Sequence, residues 1–131
     1  MRGKQLLIGV FSVFSGVALM STTACSRANT LGGEVAPANA VFVHVKNDNF
    51  LDMDVYAVSA GLATRIGTVT GNSSRDFVVD ASLAATQDFR IVATPIGGNG
   101  RASSGNIQVG PGQTVDFTIG SILRNSTVFI R

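Results

Sequence analysis

The chain has 131 residues, with ten Lys or Arg against eight Asp or Glu and a formal net charge of +2. That length holds one domain and not two. Cys25 is the only cysteine and His44 the only histidine, which excludes an intramolecular disulfide and any multi-histidine metal site.

The first stretch must be set aside before the fold is considered. Arg2 and Lys4 make a short positive start, and the run from Leu6 to Met20 is apolar or small and carries no charge. Ser21, Thr22, Thr23 and Ala24 follow, all small. A membrane span needs about 20 apolar residues, and this run is shorter and broken by Gly9, Ser12, Ser15 and Gly16. The order of positive end, apolar run and small residues is that of a secretory signal, expected over residues 1–24. Both of its charges are cations. From Cys25 onward eight Lys or Arg face eight Asp or Glu, so the remaining chain is neutral. No basic stripe is left to follow a phosphate backbone, and nucleic acid is not an expected partner.

Thr22-Thr23-Ala24-Cys25 resembles the lipobox of bacterial lipoprotein precursors. Ala24 and Thr23 fit that pattern; Thr22 stands where the family usually carries an aliphatic residue. The resemblance implies that the Cys25 thiol takes a diacylglycerol, that the signal is cut before it, and that the protein is held on a membrane by acyl chains. Ser26, rather than Asp, follows the cysteine, which by the same resemblance favours the outer membrane of a two-membrane envelope. The alternative is ordinary cleavage after Ala28, which would discard Cys25 and release a soluble protein.

Residues 25–40 carry Gly32, Gly33 and Pro37 with no hydrophobic period, and are expected to form a flexible tether. The domain is expected over residues 41–131. Eight short apolar runs begin near Val41, Met53, Arg65, Asp76, Asp88, Asn106, Thr114 and Thr127, with turn residues between them. Alternation is clear at Val41, Val43 and Val45, at Phe77 and Val79, at Phe89, Ile91 and Ala93, at Val115, Phe117 and Ile119, and at Val128 and Ile130. A period of two places each set on one face of a strand. Met53–Ser59 leaves either face open to the core, and Gly67 marks a candidate bulge. The one helical candidate is Ala81 to Thr86. Pro111-Gly112 has the residues of a type II turn. The expected fold is all-β, an antiparallel β-sandwich of about seven or eight short strands. Its pattern loosely resembles small immunoglobulin-like and transthyretin-like bacterial modules, a resemblance that implies architecture and not activity.

The sequence offers little catalytic chemistry. His44 lies on the strand face of Phe42 and Lys46, as a surface histidine would, and no G-x-S-x-G occurs. The densest acids, Asp48, Asp52 and Asp54, are the best candidates for a calcium loop, although no glycine and terminal Glu follow at EF-hand spacing. The competing reading is a polar connection whose Asx side chains bond their own backbone. The stretch of Gly97, Gly98, Asn99, Gly100 and Arg101 has neither the Lys nor the helix of a phosphate cradle; it is expected to be a long hairpin loop and the first place to look for a binding surface. Asn72-Ser73-Ser74 and Asn125-Ser126-Thr127 match the glycosylation pattern but read as turn asparagines. No enzyme activity and no cofactor are expected. The expected partners are the membrane, through the lipid anchor, and an envelope protein or glycan; a calcium- or ligand-binding protein is the alternative.

Overall fold

A computed structural model describes residues 37–131. The expected signal, Cys25 and the tether up to residue 36 lie outside the described residues. The chain enters at Pro37, whose carbonyl accepts from the Ala40 N–H at 2.9 Å. Ala40 is buried and belongs to the first strand, so the domain reaches one residue into the expected tether.

Eight strands follow: β1 (Ala40–Asn47), β2 (Met53–Ser59), β3 (Leu62–Val69), β4 (Ser73–Asp80), β5 (Arg90–Pro95), β6 (Ala102–Ser103), β7 (Thr114–Ile119) and β8 (Thr127–Ile130). A one-turn helix, α1 (Ala81–Ala84), lies between β4 and β5, within the expected Ala81–Thr86 segment. Asp80 caps it by accepting from the Ser82 N–H at 2.7 Å. The strands form two four-stranded sheets, ordered β4-β1-β7-β8 and β3-β2-β5-β6. Their inner faces meet in one core containing Val41, Val43, Val45, Phe89, Ile91, Val115, Phe117 and Ile119. The domain is a β-sandwich, and the period-two pattern is the reason: each of these side chains alternates with a residue on the solvent side.

The structure resolves the ambiguous Met53–Ser59 run. Met53, Val55 and Ala57 face the core and Asp54 and Tyr56 face outward, while Val58 and Ser59 are buried as well. Gly67 is at a bulge, as its position in the sequence suggests. Val55 pairs with Gly67 but Tyr56 pairs with Arg65, so Ile66 is the extra residue. A Cβ at Gly67 would fall 2.5 Å from the Phe77 ring, which explains why glycine stands there.

Two expectations are corrected. The sandwich is not wholly antiparallel, because β1 pairs with β7 in parallel. The chain returns from β6 to the end of the sandwich where β1 starts, and β7 then leaves in the same direction as β1. The type II turn fixes that start: Gly110 accepts from the Gln113 N–H, Gly112 has φ +79°, and the Gly112 N–H donates to Ala40 O at 2.8 Å. No strand begins near Asn106. Ile107 and Val109 are buried and fill the core, but this stretch joins no sheet; the Ile107 N–H bonds to Phe89 O at 2.8 Å. The edge strand is instead Ala102–Ser103, at the end of the glycine-rich stretch.

The loops at the far end of β1 are built around two buried amides. Asn47 is fully buried; its Nδ2 donates to Leu51 O at 2.8 Å and Thr70 O at 3.2 Å, and its Oδ1 accepts from the Asn49 N–H. Asn49 repeats the device, accepting from the Leu51 N–H and donating to Ser121 O at 2.9 Å. These are the Asx turns anticipated for this connection. Asn47→Ala would strand three backbone groups, a loss of about 3 kcal/mol. The expected fall in Tm is roughly 15 °C, measured by calorimetry, against little change for Ser74→Ala at an exposed neighbour of β1.

Candidate functional site

The three acids suggested as a calcium loop do not converge. Asp48 pairs with Lys46 at 3.1 Å. Asp52 accepts from the Gly71 N–H at 3.0 Å. Asp54 accepts from Arg65 at 2.7 Å and from the Thr68 hydroxyl at 2.8 Å. These two donors hold its carboxyl below the usual carboxylate range. Among the described residues no group of three or more His, Cys, Asp or Glu gathers as metal ligands. Added calcium is therefore expected to leave Tm unchanged; a rise with calcium and not magnesium would restore the loop as a site.

The remaining acids are also engaged within the domain. Asp76 lies against His44, Nδ1 to Oδ1 2.5 Å, on the outer face of the first sheet. Asp116 forms a two-point contact with Arg131 beside them. Asp80 caps α1. Asp88 holds the β2–β3 turn, where Ala60 and Gly61 both have positive φ, at +50° and +76°. A two-residue turn of this kind suits the hairpin twist but strains an alanine. The Asp88 carboxylate accepts from both turn N–H groups, at 2.9 and 3.0 Å. All seven carboxylates between residues 37 and 131 thus have a partner inside the domain.

A concave surface lies on the outer face of the second sheet. It is a groove of about 500 Å³. Register explains its lining: Tyr56 is opposite Val92, Val58 is opposite Arg90 and Ala63, and Val92 is opposite Ser103. The floor is apolar, from Val58, Val92 and Ala63; Tyr56 supplies a ring, Thr94 and Ser103 supply hydroxyls, and Arg90 and Arg101 supply cations. Among the described residues neither arginine forms a salt bridge. An open sheet face with an apolar floor, a ring and two guanidiniums can hold a ligand by contact and charge. His44, the only histidine, is on the other sheet.

Of the loop residues expected from sequence, the structure brings Arg101 to the groove; Gly97, Gly98, Asn99 and Gly100 do not line it. Gly98 instead packs against Leu51 and Pro95. Sequence reasoning missed Tyr56, Val58, Arg90, Val92, Thr94 and Ser103. The available signal was the solvent-side set of β5, where Arg90, Val92 and Thr94 alternate with core residues.

No family model and no curated protein matches the chain. Among solved structures it is similar to one described as the NMR structure of the protein from Eubacterium rectale. The two share 15% identity over 76% of this chain and 94% of that one, with a TM-score of 0.47. That likeness says nothing of function.

The acids give a pH dependence. Hydrogen bonds lower the carboxyls of Asp54, Asp80 and Asp88 from an ordinary value of 3.8, the Ala60 N–H being the main cause at Asp88. The unfolded chain therefore takes up protons first as the pH falls. Stability is full above the ordinary value and is lost as pH drops through it towards the folded-state values. Tm is expected to be flat above about pH 5 and to decline below about pH 4. Asp88→Asn, which cannot ionise, should make that decline shallower.

Proposed function

We propose that this chain is an exported, lipid-anchored binding module of the cell envelope, without enzymatic activity, that presents the outer groove of its second sheet to a partner. The observation that carries the binding role is the groove itself: an apolar floor with a tyrosine and two arginines that no carboxylate of the domain neutralises. A fold that satisfies each acid internally yet leaves two unpaired cations lining one apolar groove has a face suited to recognition. Support for the address comes from the sequence: a positive start, an apolar run and Cys25 after small residues. Two or more acyl chains on Cys25 give durable membrane attachment, whereas one gives only reversible binding.

The partner is an envelope protein or glycan, met on the periplasmic or outer side of an outer membrane. Cys25→Ala is expected to shift the protein from the membrane fraction to the soluble fraction, with mass spectrometry of the wild-type N-terminus showing an acylated cysteine. A variant that stays on the membrane would refute the anchor. Recognition is tested separately by a photoreactive residue at Thr94, in the groove, or at Thr118, on the outer face of the other sheet. Crosslinked adducts in intact cells are expected from position 94 and not from 118. Equal yields, or none from 94, would remove the groove as the binding face.

A further inference from the structure

Resting on the binding-module reading above, we propose that the groove of the second sheet takes an acidic saccharide, with its carboxylates met by Arg90 towards one end and Arg101 towards the other and a sugar ring against Tyr56.

The charge comes first. Each carboxylate from residue 37 onward is engaged elsewhere, and none is bonded to Arg90 or Arg101. Arg65, the nearest cation on β3, is committed to Asp54 and Thr68. Arg75 lies over the Phe77 ring and donates to Thr68 O. The groove therefore holds two guanidiniums that no carboxylate of the described residues pairs with, and both remain available to an anionic ligand. The planar fork of a guanidinium matches the two oxygens of a carboxylate.

The rest of the lining narrows the class. A bare inorganic anion has no use for a floor of Val58, Val92 and Ala63. A sugar ring does, because one face presents C–H groups to an apolar surface and to the negative face of an aromatic ring. Its hydroxyls meet Thr94 and Ser103, which stand on the same surface. The volume lies in the ordinary range for small ligands. Two arginines on a neutral domain do not make the multi-phosphate contact that a nucleic acid requires.

The test uses the full-length chain, ¹⁵N-labelled in mild detergent and titrated with trigalacturonate, with neutral galactotriose and inorganic phosphate as controls. The expected result is saturable movement of the groove amides with trigalacturonate, weakened by added salt. Arg90→Gln and Arg101→Gln are each expected to weaken binding about tenfold. Arg124→Gln, a cation outside the groove, should leave it unchanged. If Arg90→Gln fails to fold, Arg101→Gln carries the test, because Arg101 is exposed and outside any strand. No binding, equal binding by both groove variants and wild type, or equal affinity for galactotriose overturns the proposal. So does phosphate binding as tightly as the trisaccharide, which would leave an anion site only. Failure here with adducts still formed at position 94 discards the saccharide and keeps the binding module; loss of both discards the groove.

Discussion

Asn47 is where the two sheets and three loops are tied together. It ends β1, a strand paired along both sides whose valines lie at the centre of the core. A fully buried amide is costly unless its donors and acceptor are met. Here they are met by the backbone of two different connections, β1–β2 and β3–β4, and Asn49 extends the tie to the β7–β8 loop. The strands on either side of the core are thereby fixed relative to β1. With no disulfide available and no Trp in the chain, this polar knot complements an aliphatic core that would otherwise hold the loops only weakly. Gly71 serves the same junction, since a Cβ there would fall 2.2 Å from Phe50 O.

Much of the fold was legible because alternation is a strong local signal. Val41, Val43 and Val45 announce their face without help, as do Val115, Phe117 and Ile119. What alternation does not contain is direction: nothing in the residues of β7 says whether its neighbour runs parallel or antiparallel. That is decided by the path between β6 and β7, where Ile107 and Val109 look like a strand but spend their side chains closing the core. Ala102 is the converse case. It is completely buried and paired with Ala93, yet it sits in a glycine-rich stretch that reads as a loop.

The candidate site was less legible for a related reason. A groove on a sheet face is assembled across strands, so it becomes apparent that Tyr56, Arg90 and Arg101 line one groove only once register is known. In the sequence they are separated residues with ordinary neighbours. Arg101 drew notice only because of the glycines before it. The acids that seemed most site-like, Asp48, Asp52 and Asp54, are close in sequence and diverge in space because alternation and the Asx turns send them to different partners. Local density of charge along the chain did not translate into convergence in space.

The parallel pairing of β1 with β7 also orders events during folding. Phe42 and Thr114 are paired partners although most of the domain lies between them. The β2–β3 hairpin can form as soon as Ser59 and Leu62 meet, and β4 can dock on β1 once the β3–β4 loop is complete. One side of β1 must nevertheless wait for residues 114–119 to arrive. Until then that side is an open edge of backbone N–H and C=O groups flanked by three valines, the kind of surface that invites pairing with another chain. The last third of the domain is then what closes the sheet against aggregation.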